Sequence, residues 1–195
     1  MTDPRKPIFD AARAAKGAGF TQEQVDAIHY ALDRAGVPRE TNLSEIPDDY
    51  WPLLAKIESG NRPYIKANSS SASGLYQFVK STWLGEGGKW GADPTKAFGG
   101  LTPTEAEQTA RAKTFTEKNV AILKAKGIAI NNASLYAAHF FGAGMAAKVI
   151  SADTSARADL IAGDAATSAN PAILKNKTVG QFLSWLHAKT GAWAR

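Results

Sequence analysis

Glu58-Ser59-Gly60 closes a helical pattern, and a run of small polar residues follows it, ending in Ser73-Gly74-Leu75-Tyr76-Gln77-Phe78. Between Asn61 and Lys80 there is no second acid; the next are Glu86 and Asp93. A carboxylate in the last turn of a helix faces the negative end of the helix dipole, and apolar neighbours such as Ile57, Tyr64 and Tyr76 would add desolvation. Both effects disfavour the ionised form. A glutamate held in this way stays protonated near neutral pH and serves as a general acid, giving its proton to a leaving oxygen. The bland alternative is a solvated glutamate at a helix end, and only the residues around Glu58 set it apart.

The elements that must position this acid are mostly helical. Leu53, Leu54 and Ile57 recur at the spacing of an inward helix face over residues 44–60, with Asp48 or Asp49 as cap and Pro52 tolerated in the first turn. Residues 61–78 lose that period and read as a loop or short strands, and the glycine-rich and proline-rich stretch 85–103 is irregular. Thr102, Pro103 and Glu105 then mark a helix start, and the helix should run to about Lys126 and stop at Gly127. Further helices are expected at about 132–141, 143–151, 155–162 and 178–190, the last with Val179, Phe182, Leu183 and Leu186 on its core face.

Upstream, an alanine-rich segment at 8–16 precedes a second helical pattern in which Thr21 and Gln24 form a capping box. Val25, Ile28 and Leu32 give it an apolar face, and Gly36 and Pro38 stop it. Residues 1–40 thus read as a helical hairpin, either a small separate module or the first layer of a main domain covering 41–195.

With 195 residues, 44% of them hydrophobic and 21% charged, the chain can bury a real core. It contains no cysteine, so disulfides and thiolate metal sites are excluded. His29, His139 and His187 are far apart and lack metal-ligand spacing; no metal and no cofactor are expected. The net charge of +5 favours an anionic partner. No Lys/Arg stripe with interleaved aromatics is present, so nucleic acid is not the expected one.

Glu58-Ser59-Gly60 followed at this gap by Ser73-Gly74-Leu75-Tyr76-Gln77-Phe78 resembles the lytic transglycosylases and lysozyme-like muralytic enzymes, especially phage endolysins and virion-associated members. A third element, His139-Phe140-Phe141-Gly142, looks like the phage-type counterpart of a Tyr-Asn-Ala-Gly turn and departs from that bacterial form. The likeness spans residues 45–150 and covers little of 1–40. It implies a mainly α, lysozyme-like α+β fold, a helical domain with a short loop or small sheet after the catalytic helix. It assigns Glu58 as the catalytic acid and Ser73 as a hydrogen-bonding partner of the acid or of the substrate's acetamido group. Gln77 would support the groove, Gly60 and Gly74 would let backbone approach the sugar, and Tyr64, Tyr76 and Phe141 would form stacking walls. Tyr136 or His139 would hydrogen-bond substrate or Glu58; a histidine satisfied by backbone is the other reading.

The activity so implied is cleavage of the β-1,4 link between N-acetylmuramic acid and N-acetylglucosamine with formation of a 1,6-anhydro ring, chemistry that needs one carboxyl. A hydrolytic muramidase with Glu86 or Asp93 as base is the alternative, and a non-catalytic wall-binding or virion structural protein a third. The expected partners are peptidoglycan glycan strands and the anionic envelope surface, met by a monomer. Residues 1–17 lack the apolar stretch of a secretory signal. An endolysin made in the host cytoplasm that reaches the periplasm through a membrane lesion is therefore expected, with carriage in the virion as the alternative. The basic C-terminal stretch with Trp185 and Trp193 reads as a final helix docked on the core rather than a membrane-disturbing tail.

Overall fold

The computed structural model describes residues 6–17, single positions between 24 and 37, and 46–194. The chain divides into two compact units, Met1–Glu45 and Ile46–Arg195. In the first, α1 (Lys6–Lys16) ends at Gly17, whose φ of 70° lets its N–H reach the Arg13 carbonyl at 3.1 Å. Helical positions recur at 24, 27, 28, 31, 32 and 34. Thr21 of the expected capping box, Val25, the Gly36-Pro38 stop and His29 lie outside the described residues.

The second unit is mainly helical. Its centre is α5 (Asn132–Phe141), in which every residue from Asn132 to Ala138 is buried, as befits a helix apolar on all sides. Asn131 starts it: its side chain accepts from the backbone N–H of Ala133 and Ser134, each at 3.0 Å, and Ser134 Oγ accepts from the Asn131 N–H. Around it pack α4 (Glu105–Ala125), α6 (Ala143–Ser151) and α9 (Val179–Thr190). Ala133, Ala137, Ala146 and Ala147 are small enough to let these helices approach closely, and Val179, Phe182, Leu183 and Leu186 form the buried face of α9, as their spacing predicts.

Two helix starts differ from the sequence expectation. Thr104, not Thr102, caps α4, because its hydroxyl accepts from the Glu107 N–H at 3.1 Å while the Pro103 carbonyl is taken by Gln108 Nε2. The helix expected at 155–162 begins at Ala158, after Asp153 Oδ1 has drawn in the Ser155 N–H at 2.8 Å, and α7 (Ala158–Ala169) continues past a break at Gly163. Two short helices were not expected, α3 (Lys80–Gly85) and α8 (Pro171–Leu174).

The catalytic-helix candidate is α2 (Tyr50–Ser59). Asp49 sits at its cap position without capping it; its carboxylate accepts instead from Asn132 Nδ2 at 3.1 and 3.2 Å, tying the start of α2 to the start of α5. After α2, no strand forms among the described residues. Isolated bridges Lys66–Ser73 and Ser73–Phe78 stand where a loop or small sheet was expected.

Candidate active site

Ser59 and Gly60 explain how Glu58 comes to lie at a helix end. Gly60 adopts the left-handed conformation (φ 60°, ψ 38°) and its N–H bonds to the Lys56 carbonyl, while Ser59 Oγ donates to the Ala55 carbonyl at 2.9 Å and accepts from the Arg62 N–H. The chain therefore turns away immediately after Glu58. That carboxyl lines a cleft of about 890 Å³ together with Gln77, Phe78, Phe115, His139 and Phe140, and among the described residues no other Asp or Glu lines it.

Burial is the dominant influence on Glu58, raising its pKa to about 7, against smaller downward pulls from the Tyr136 hydroxyl and the Lys189 ammonium. Tyr136 is itself buried, and its phenol pKa is pushed up first by burial and then by the Glu58 charge, so it stays a donor throughout the working pH range. Tyr50, fully buried on α2, is raised by burial and then by Glu58.

His139 Nε2 lies 2.9 Å from the Tyr76 carbonyl, an acceptor, so this nitrogen carries the proton and Nδ1 is left as a buried lone pair. Burial lowers the ring's pKa to about 4 despite that hydrogen bond. It is therefore neutral at pH 7 and unable to act as a cationic partner of Glu58. Its ring is wedged 5.6 Å from Phe78 and 6.0 Å from Phe115. Of the two roles considered for the pair, Tyr136 is the residue that interacts with the acid, and His139 fixes the loop backbone.

Of Ser73, Gly74, Tyr76 and Gln77, all but Gln77 build the loop rather than line the cleft, which Phe78 of the same motif also lines. Ser73 is buried; its hydroxyl donates to the Ser71 carbonyl at 2.9 Å and accepts from the Phe98 N–H at 3.2 Å. Gly74 (φ 81°) lies so close to α4 that a Cβ there would come within 2.3 Å of Gln108 Oε1 and 2.4 Å of Phe98. Gly74 is thus required for packing. Tyr76 is buried, its hydroxyl 3.1 Å from Thr109 Oγ1. Gln77 is the exception: it faces the cleft and its Nε2 donates to the Gly74 carbonyl at 2.9 Å. Tyr64 is half exposed over a different hollow, beside Lys66 and Lys96. Phe141 packs against Phe182 at 5.1 Å, so Phe140 rather than Phe141 is the aromatic that reaches the cleft.

Three contributors were not foreseen. Lys189 stands three residues past Leu186 and seven past Phe182, so its position near the core face of α9 was readable from the same period. Phe115 gave no signal beyond one apolar position in a polar helix. Gln108 is buried in α4, accepts from the Leu75 N–H at 2.8 Å and donates to the carbonyls of Pro63 and Pro103 at 3.0 and 3.1 Å. One side chain thereby holds the backbone at Pro63, Leu75 and Pro103 together.

The two acids considered as a second carboxylate are engaged elsewhere. Both oxygens of Glu86 accept from Lys118 Nζ, at 2.9 and 2.8 Å. Asp93 is held below the usual carboxylate range by the Thr95 hydroxyl and backbone N–H, with Lys96 adding to the effect. No group of three His, Asp or Glu able to hold a metal occurs among the described residues. No protein-family model matches the chain, and no curated protein matches it.

Proposed function

We propose that this protein is a peptidoglycan lytic transglycosylase, a phage endolysin that cleaves the β-1,4 link between N-acetylmuramic acid and N-acetylglucosamine. The observation that carries the reading is a solitary carboxyl, raised to about 7 by burial, in a cleft with no second acid among its described lining residues. At about 890 Å³ the cleft falls within the range of ~300–1,000 Å³ common for ligand sites.

Glu58 starts protonated and gives its proton to the glycosidic oxygen as the bond to the muramyl C1 breaks. The positive charge that develops at C1 is met by the oxygen of the substrate's own 2-acetamido group. Glu58, now a carboxylate beside the Tyr136 hydroxyl, takes the proton from the muramyl 6-hydroxyl, and that oxygen closes on C1 to form the anhydro ring. Each proton leaves and returns through one residue, so no water or second carboxylate is consumed. Hydrolysis with Glu86 or Asp93 as base is disfavoured because neither lines the cleft and both are tied to lysines.

Mass spectrometry of purified peptidoglycan digested by the protein tests this. Anhydro-muramyl ends are expected. Reducing muramyl ends would replace the transglycosylase by a muramidase, and intact strands would remove the enzyme altogether.

A further inference from the structure

A second hollow, of about 310 Å³, adjoins the Glu58 cleft: Ser70 lines both. Its walls bring together Lys66, Lys80, Ser71 and Trp90, and no acid lines it among the described residues. The sequence forms it by a close crossing of two glycines. A Cβ on Gly91 would come within 2.3 Å of the Gly99 carbonyl, and the Gly91 N–H bonds to the Phe98 carbonyl at 2.9 Å. This crossing holds Trp90 against Phe98, ring centroids 5.8 Å apart, with part of the indole left open to the hollow.

The polar groups are arranged to donate. Ser70 Oγ accepts from the Ala72 N–H at 3.2 Å and Ser71 Oγ accepts from the Lys80 N–H at 2.9 Å, which anchors each hydroxyl and leaves its own proton to give. Lys66 Nζ is fixed by the carbonyls of Ala67 and Ser70 at 3.1 and 2.9 Å, which places its charge at the hollow without neutralising it. Among the described residues no carboxylate pairs with Lys66 or Lys80. Two ammonium groups, two hydroxyl donors and an aromatic face suit a sugar ring bearing a carboxylate.

We propose that this hollow is an anion-reading subsite that seats a carboxylate-bearing sugar of the strand beside the one being cleaved. The assignment rests on the transglycosylase reading above. Peptidoglycan offers the carboxylate from two sources, the lactyl group of muramyl residues that carry no peptide and, where a peptide is attached, the carboxylates of that peptide. Neutral glycans of N-acetylglucosamine offer none, so the subsite would separate wall strands from chitin-like ones.

The test compares the Glu58→Gln chain with the Glu58→Gln/Lys80→Gln chain in calorimetric titrations. The probes are uncrosslinked strands with peptides, strands trimmed of peptides by an amidase, and a neutral N-acetylglucosamine oligomer. Removing one exposed charge is expected to weaken strand binding about three- to fivefold at low salt and little at high salt, leaving the neutral oligomer unchanged. A loss confined to trimmed strands identifies the lactyl group, whose carboxyl is amide-linked in intact strands; a loss confined to intact strands identifies the peptide, and an equal loss on both shows that either carboxylate is read. Wall strands that the parent cleaves to anhydro ends but that bind both chains equally would overturn the subsite alone. No binding and no cleavage would overturn the transglycosylase reading and the subsite with it.

Discussion

The cleft has two unlike walls. One is helical: α5 brings His139 and Phe140 to the cleft and Tyr136 to the acid, while Lys189, exposed on α9, acts on Glu58 through its charge. The other, residues 61–103, is irregular and is held by side chains that reach backbone across long stretches of sequence, Gln108 to Pro63 and Leu75, Ser73 to Phe98, His139 to Tyr76. The helical wall tunes the acid, and the irregular wall shapes the space in front of it. Substitutions on the first should therefore change titration, whereas those on the second should change stability.

The largest effect is expected at the junction of the two. Glu58→Gln should lower cleavage by ~10²–10⁴-fold, the usual contribution of a general acid, measured as release of anhydro ends. The same variant should gain stability with a definite sign. A carboxyl raised from 4.5 to about 7 contributes fully to folding below pH 4.5, and that contribution is lost as pH rises through about 7. Urea unfolding should find the variant more stable than the parent by up to ~3 kcal/mol at pH 8 and little changed at pH 4. A pH-independent difference would contradict the raised pKa.

On the irregular wall, Gly74→Ala combines a φ of 81° with a contact of 2.3 Å to Gln108, and should cost ~3 kcal/mol or more in unfolding free energy. Gln108→Leu, which strands one N–H and two carbonyls, should cost ~2–4 kcal/mol while leaving the high-pH limb of activity in place. If either shifted that limb, the division between a tuning wall and a shaping wall would fail.

Smaller effects sharpen the comparison. Tyr136→Phe removes the larger of the downward pulls on Glu58, so the pH above which cleavage declines should move upward, and Lys189→Met should move it the same way by less. An unmoved limb in Tyr136→Phe would detach that hydroxyl from the acid. The smallest change is expected from Glu86→Gln, which loses a bridge to a lysine side chain 62% exposed: at most ~1 kcal/mol of stability and no loss of cleavage. A hundredfold loss there would restore Glu86 as a base.

The helical wall was largely legible in the sequence. Asn131, Thr178 and the apolar period of α9 are local signals, readable within one or two turns, and the bounds of α5 and α6 follow them. Glu58 was legible through its company, but the roles of that company were not. Ser73 and Gly74 are spaced like ligand contacts yet do not line the cleft, because what they touch, Phe98 and Gln108, is 24 to 34 residues away and has no periodic signature. Tyr64 and Phe141 were assigned to the groove on residue type alone, and exposure over another hollow and packing on Phe182 place them elsewhere. The short helices α3 and α8 span too few residues for a hydrophobic period to develop.

The claim on which the rest depends is that burial keeps Glu58 protonated near neutral pH. Carbon-13 NMR of the glutamate side-chain carboxyls in the folded protein, with Glu58 assigned by its absence from Glu58→Gln, measures this directly. A titration midpoint at about 7 is predicted. A midpoint near 4.5, the value of a solvated glutamate, would contradict the account.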